Sequence, residues 1–174
     1  YSGQCSNEVF QDIFRGYERK LRANRKIDFD DMLVFTYELL KEREDILAVW
    51  QKKFQYILID EFQDINLVQY KIIQMLAKPE NNLFIVGDDD QSIYRFRGAK
   101  PDIMLGFPKD YKEAKKVLLD INYRCSEEIL TEAQKVIGQN EKRFSKKLTA
   151  FCGKQSPVHY IECKNQFEEN QKII

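Results

Sequence analysis

Two short acidic segments of this sequence each follow an apolar run, and their side chains suit the chemistry of phosphates and metal ions. Residues 56–66 read YILIDEFQDIN and place Asp60 and Glu61 directly after the apolar run. Residues 83–91 read LFIVGDDDQ and end on three aspartates and Gln91. A carboxylate at a strand end can bind Mg²⁺ directly or through water, and an adjacent glutamate can activate an attacking water molecule. We therefore expect both segments to face one phosphate and metal site.

The hydrophobic pattern predicts strands that alternate with helices along the chain. Apolar spacings of three and four predict helices near residues 7–24, 29–43, 46–50, 65–77, 103–107, 126–137 and from 167 onward. Continuous apolar runs predict strands at residues 56–60, 83–87, 116–121 and 157–163. This order favours an α/β fold with a parallel sheet flanked by helices, in which ligands bind outside the carboxyl ends of the strands. Both acidic segments lie at such ends.

The composition is that of a globular protein without a net electrostatic field. The 28 basic and 28 acidic residues cancel, so a contact with nucleic acid would have to be local. Four cysteines without a CxxC pair, together with a single histidine, argue against a zinc site and a disulfide framework. These features favour a cytoplasmic location. No apolar run approaches the roughly 20 residues that span a bilayer, so we expect no membrane partner.

Aromatic and guanidinium groups alternate after the second acidic segment. Residues 87–99 read GDDDQSIYRFRGA and contain Tyr94, Phe96 and Arg97. Rings that stack on bases and arginines that meet phosphates are typical of contacts with single-stranded nucleic acid. A solvated turn with both rings packed in the core is the alternative. The presence of Gln91 in the same loop favours the nucleic-acid interpretation.

A third segment, LLDINYRC at residues 118–125, places a tyrosine and an arginine just past a predicted strand. In order and spacing, YILIDEFQDIN, VGDDDQSIYRFRGA and LLDINYRC resemble motifs II, III and IV of the UvrD/Rep-like superfamily 1 DNA helicases. Residues 27–40 also resemble the segment that precedes motif II in that family. The resemblance is clear over residues 27–130 and looser toward both ends.

The resemblance implies a RecA-like P-loop NTPase core, of which this chain would contain parts of two RecA-like domains. Residues 1–26 would be the tail of an inserted helical subdomain. Residues 27–114 would form the second half of the first RecA-like domain, and residues 115–174 the start of the second. The implied activity is 3′ to 5′ movement on single-stranded or tailed duplex DNA, driven by ATP hydrolysis with Mg²⁺.

The resemblance also implies a role for five residues at the nucleotide. Asp60 would bind Mg²⁺, and Glu61 would activate the attacking water. Gln91 would sense the γ-phosphate. From the second domain, Arg124 would act as an arginine finger and Tyr123 would stack on the adenine.

Three residues are implied in DNA contacts. Tyr94 and Phe96 would contact single-stranded DNA, and Arg97 would link the DNA site to the ATP site. Family members usually carry tryptophan where Phe96 stands and serine where Cys125 stands. Phenylalanine still stacks on bases with less area, and cysteine keeps a small side chain.

The phosphate-binding motif G-x-x-x-x-G-K-[ST] is missing from this sequence. Of the seven glycines, only Gly153 precedes a lysine, Lys154. Gln155 follows that lysine, and Leu148 stands where the earlier glycine should be. We therefore expect a fragment of a longer polypeptide whose remainder supplies the P-loop and the later motifs.

Two other interpretations remain open. A metal-dependent nuclease could use Asp60, Glu61 and the three aspartates at 88–90 to hold two metal ions. That interpretation leaves Gln91 and the tyrosine–arginine pair without a role. A non-catalytic remnant that binds DNA or a protein partner would also lack a P-loop.

Overall fold

The computed structural model describes residues 6–94, 96 and 98–173. The chain divides into two compact units, one up to Met104 and the other from Leu105 onward. The helices are α1 (Asn7–Ala23), α2 (Phe29–Glu42), α3 (Glu44–Lys53), α4 (Leu67–Ala77), α5 (Pro101–Asp110), α6 (Glu127–Ile137) and α7 (Gln166–Ile173). The strands are β1 (Ile57–Ile59), β2 (Leu83–Ile85), β3 (Ile121–Asn122) and β4 (Thr149–Ala150). Small parallel sheets flanked by helices therefore confirm the predicted mixed α/β fold class.

Reciprocal side-chain caps fix the beginnings of α2 and α4. Asp28 accepts the backbone N–H of Asp31, and Asp31 in turn accepts the backbone N–H of Asp28, at the start of α2. The Tyr17 hydroxyl donates to Asp28 over 2.8 Å, which connects α1 to this cap. Asn66 and Gln69 form the same reciprocal cap on α4. Each cap satisfies backbone N–H groups that have no partner inside the helix.

The core of the first unit lies beneath the end of β1. Strands β1 and β2 pair in parallel, with Ile57 opposite Leu83 and Ile59 opposite Ile85. A short 3₁₀ turn follows β1 and places Phe62 in the core with no exposed surface. The Phe62 ring meets Tyr70 of α4 edge to face at 5.9 Å. Helix α4 packs against α2 and α3, so the turn after β1 is anchored by the helical layer.

One face of the β1–β2 sheet remains exposed in this unit. Leu58 and Phe84 are opposite each other in the ladder, and their side chains are 72% and 60% exposed. Their neighbours along both strands are half-buried on the other face. Parallel sheets are normally covered on both faces, so this apolar face is one that further protein would cover.

The second unit contains the β3–β4 pair and α6. The strands are parallel, with Ile121 opposite Thr149, and α6 packs against β4. The strand predicted at residues 157–163 is wrong, because the structure forms no strand there and residues 157–162 are exposed. The partner of β3 instead comes from residues 149–150, within a segment predicted to be irregular.

Two other predicted bounds in this part of the chain are wrong. The helix predicted near residues 103–107 continues through Pro108 to Asp110. Proline has no backbone N–H, so α5 continues past this position with one helical hydrogen bond fewer. The strand predicted at residues 116–121 is formed only at Ile121–Asn122, where β4 provides hydrogen-bond partners.

No helix among the described residues is both long and apolar enough to cross a membrane.

Phe62→Ala is expected to lower the free energy of unfolding by about 3–5 kcal/mol, because it leaves a cavity in the core. Phe84→Ala is the matched control, since the same ring on the exposed sheet face should cost less than about 1 kcal/mol. Chemical denaturation of the 174-residue chain would measure both values. Equal losses in the two variants would contradict the burial described here.

Candidate nucleotide site

The carboxyl ends of β1 and β2 lie side by side. The backbone N–H of Val86 donates to Ile59 O over 2.8 Å, and that of Phe62 donates to Val86 O over 2.9 Å. The ladder thus continues past the strand ends. Asp60 and Glu61 follow one strand and the 88–91 turn follows the other, so both acidic segments lie at the same edge of the sheet.

Glu61 adopts a strained backbone conformation at this edge. Its φ and ψ of 50° and 40° are left-handed, a region that costs a residue with a side chain about 1–2 kcal/mol. Local hydrogen bonds hold the strained turn. Asp60 Oδ1 accepts the Glu61 N–H over 2.8 Å, and Glu61 O accepts the Asp64 N–H over 2.9 Å.

A buried amide connects the two acidic segments. Gln63 is only 2% exposed, and its Nε2 donates to Glu61 Oε2 over 2.8 Å. Its Oε1 accepts the backbone N–H of Asp88 over 3.0 Å. The Ser92 hydroxyl donates to the backbone carbonyl of Gln63 over 3.2 Å. Gln63 has no role that the sequence alone predicts, because its burial depends on how the two segments meet.

The 88–91 turn presents Gln91 toward solvent. Asp88 Oδ1 accepts the Asp90 N–H over 3.1 Å, and Asp88 Oδ2 accepts Gln91 Nε2 over 2.8 Å. The Gln91 backbone N–H donates to Asp88 O over 2.9 Å. Hydrogen bonds therefore run from Glu61 through Gln63 and Asp88 to Gln91. We call this connected set the amide bridge.

Oxygen ligands suited to a hard divalent cation are present at this edge. Asp60 is exposed, and its carboxylate follows the strand directly. Among the described residues, Asp88, Asp89 and Asp90 form the one group of three or more carboxylates whose oxygens lie within 4.8 Å of one another. Asp60 and Glu61 do not belong to that group. The donor set fits Mg²⁺ bound through Asp60 together with waters and phosphate oxygens.

The aromatic loop after the turn carries two neighbouring rings. The centroids of Tyr94 and Phe96 are 5.8 Å apart, and their side chains are 38% and 78% exposed. The Lys100 N–H donates to Ile65 O over 3.2 Å, which ties the far end of this loop to the segment after β1. The rings are thus not packed in the core. Arg97 lies outside the described residues.

Tyr123 and Arg124 lie in the second unit, directly after β3. Asn122 Oδ1 accepts the backbone N–H groups of Arg124 and Cys125 over 2.9 and 2.8 Å. This turn leaves the Tyr123 and Arg124 side chains exposed. The Tyr123 ring contacts Phe151 at 4.9 Å between centroids, and Phe151 follows β4. Phe151 is not predictable as a ring neighbour of Tyr123 from the sequence, because the short strand before it has no periodic signal.

Comparison with known proteins identifies one family. Residues 1–112 match the model of the UvrD/REP helicase N-terminal domain. The chain is 53% identical over 138 residues to "Putative ATP-dependent DNA helicase YjcD" of Bacillus subtilis, covering 79% of this chain and 18% of that protein. It is 40% identical over 172 residues to the ATP-dependent DNA helicase PcrA of B. subtilis, covering 99% of this chain and 23% of the relative. PcrA of Leuconostoc citreum is 38% identical over 167 residues, covering 96% and 22%. The chain therefore spans about a fifth of the length of these curated relatives.

Gly87→Ala is expected to destabilise the chain by about 1–3 kcal/mol, because the new methyl group overpacks the amide bridge. A Cβ there would lie 2.6 Å from Gln63 Oε1 and 3.1 Å from the Phe62 backbone nitrogen. Gly16→Ala is the control, since nothing lies within 4 Å of its Cβ position inside α1. That change should stabilise the helix by about 0.5–1 kcal/mol. Thermal unfolding would compare the stabilities of the two variants. A Gly87→Ala variant more stable than the wild type would refute the close approach of Gln63 to position 87.

Glu61→Gly is expected to be more stable than Glu61→Ala by about 1 kcal/mol, because glycine accepts the left-handed backbone without strain. Both changes remove the same side-chain contact, so their difference isolates the backbone. The same pair at Glu38, exposed within α2, should give the opposite sign by a similar amount. Denaturant unfolding measures both differences. Equal signs at the two positions would argue against strain at Glu61.

Proposed function

Because the chain belongs to the UvrD/REP helicase N-terminal domain family, we propose that it is part of an ATP-dependent DNA helicase. The observation that carries this proposal is the amide bridge, which connects a strand-end glutamate to a glutamine in the neighbouring turn. A water-activating group and a phosphate-sensing group have to respond to the same nucleotide. Their connection through one buried side chain supports that requirement.

The first unit supplies the hydrolytic groups in this proposal. Asp60 would hold Mg²⁺, which would supply positive charge against the phosphates of a bound nucleotide. Glu61 orients the attacking water and accepts its proton. Gln91 is uncharged and exposed, and it donates to the terminal phosphate and registers its loss.

The second unit supplies two further groups. Arg124 contacts the phosphates as an arginine finger, since its guanidinium can donate two hydrogen bonds at once. Tyr123 stacks on the adenine with its exposed ring. The Asn122 side chain fixes the backbone of this turn and thereby the direction from which both groups leave it.

Single-stranded or tailed duplex DNA is the proposed substrate, and the aromatic loop is the proposed contact. Tyr94 and Phe96 present two adjacent rings on which bases can stack, at about 1–3 kcal/mol per base. Arg97 is proposed to link this contact to the nucleotide. The full-length protein is proposed to move 3′ to 5′ along the DNA strand. We also propose a cytoplasmic location, with which a DNA substrate is compatible.

The chain is proposed to contain parts of two RecA-like domains. In this division residues 1–26 belong to an inserted helical subdomain, 27–114 to the first RecA-like domain and 115–174 to the second. The compact units divide at Met104, within α5. The exposed sheet face at Leu58 and Phe84 supports a larger first domain, in which the remainder of the polypeptide covers it and supplies the P-loop.

The nuclease alternative accounts for fewer of the candidate residues. Asp60, Glu61 and the aspartates at 88–90 could hold two metal ions. That interpretation leaves Gln91, Tyr123 and Arg124 without a role. The DNA-binding remnant stays an alternative that assays of the full-length protein address.

The 174-residue chain alone is expected to hydrolyse no ATP, because its sequence contains no P-loop to hold the phosphates. A phosphate-release assay with and without single-stranded DNA measures this. Turnover that survives repeated purification would contradict the expectation.

In the full-length protein, Glu61→Gln is expected to lower DNA-stimulated ATPase kcat by about 10²–10⁴-fold. Arg124→Ala should lower it by about 10³-fold or more. Glu132→Gln and Arg43→Ala are matched controls, since both residues form exposed ion pairs away from the strand ends. Full activity in either test variant would remove that residue from the mechanism. A wild-type protein without ATPase activity would instead favour the remnant.

A further inference from the structure

The Gln63 side chain is buried between two exposed segments. It is 2% exposed, whereas Glu61 and Gln91 on either side of it face solvent. A buried amide is tolerated only when its polar atoms are hydrogen-bonded. Its oxygen and its nitrogen each have a partner, and the two partners belong to different acidic segments. This one side chain therefore joins the turn after β1 to the turn after β2.

The chemistry of the partners fixes the orientation of this amide. The Asp88 backbone N–H can only donate, so it requires the Gln63 oxygen. The amide nitrogen must then face Glu61, whose ionised carboxylate can only accept. A glutamate at position 63 would keep the acceptor for Asp88 and lose the donor for Glu61. Glutamine is therefore the side chain that serves both segments at once.

Glu61 needs an external group to hold its carboxylate in place. Within the described part of the chain, the hydrogen bond from Gln63 is the one recorded for this carboxylate. A misplacement of about 1 Å in a catalytic group can lower a rate by about 10²-fold. The amide is thus placed to set the position of the water-activating group.

The same amide is coupled to the phosphate-sensing turn. Gln63 Oε1 holds the Asp88 N–H, and the Asp88 carboxylate holds the Gln91 side chain. The Ser92 hydroxyl also donates to the backbone carbonyl of Gln63. Gly87 permits this contact, because a Cβ at that position would meet Gln63 Oε1 at 2.6 Å. Two hydrogen bonds therefore connect Gln91 to Gln63 through Asp88.

We propose that Gln63 is a positioning residue that orients the Glu61 carboxylate and couples it to the phosphate-sensing turn at Asp88–Gln91. The inference rests on the proposed ATPase function and adds a residue to it. Gln63 touches neither nucleotide nor water in this scheme and acts through Glu61. Loss of the phosphate contact at Gln91 would then alter the position of the water-activating group.

Two substitutions in the full-length protein separate the two halves of the bridge. Gln63→Met removes both hydrogen bonds with little change in volume. Gln63→Glu keeps the acceptor for the Asp88 N–H and removes the donor to Glu61. Gln69→Met is the matched control, since Gln69 is also a hydrogen-bonded glutamine but caps α4.

Steady-state ATPase with oligothymidylate measures the first consequence. Both Gln63 variants should lower kcat by about 10–100-fold and leave KM for ATP within about twofold, because nucleotide binding does not use Gln63. Gln69→Met should keep kcat within about twofold even where it lowers thermal stability. A merely structural role for Gln63 would give the same kcat as the control.

Residue-resolved amide hydrogen exchange measures the second consequence. Exchange at the Asp88 N–H should accelerate about tenfold or more in Gln63→Met and stay unchanged in Gln63→Glu. The Val86 N–H, bonded to Ile59 within the ladder, should be unchanged in both. This readout does not depend on turnover.

The outcomes distinguish three failures. Wild-type kcat in Gln63→Glu, or a loss explained by KM alone, would overturn the positioning role while the ATPase function stands. An unchanged Asp88 exchange rate in Gln63→Met would overturn the coupling. A wild-type protein that hydrolyses no ATP would overturn the proposed function, and the positioning role with it.

Discussion

The parallel pairing of β1 with β2 is the constraint on which the candidate site depends. It brings two strand ends to one edge, and the backbone ladder continues past them to Phe62 and Val86. Buried Gln63 then spans the gap between the two turns. The hydrogen bond between Gln63 and Asp88 therefore holds each turn to the other. Phe62 packs against Tyr70 of α4, and this contact with the helical layer anchors the turn that carries Gln63.

Two features at this edge favour the site at the expense of stability. Glu61 occupies a left-handed conformation, although a residue with a side chain is strained there. Gly87 leaves room for the Gln63 amide, although glycine gains conformational freedom on unfolding. Strained residues persist only where surrounding contacts over-determine them. The short hydrogen bonds around Asp60, Glu61 and Gln63 provide those contacts.

The two compact units hold different candidate residues. The first carries the acidic strand ends and the aromatic loop, and the second carries the turn with Tyr123 and Arg124. Each unit has a parallel strand pair with its candidate residues at the carboxyl ends. The exposed apolar sheet face of the first unit indicates that other protein belongs against it.

The sequence by itself determined the family, the alternation of helices with strands, and the placement of Asp60 and Gln91 after apolar strands, because local periodicity and motif spacing encode these features. It did not reveal the β4 strand, since a two-residue ladder is too short to leave a pattern. Only the tertiary structure decided the role of Gln63 and the backbone of Glu61. Gln63 and Asp88 are 25 residues apart, and whether they meet depends on the register of two strands, which no local pattern encodes.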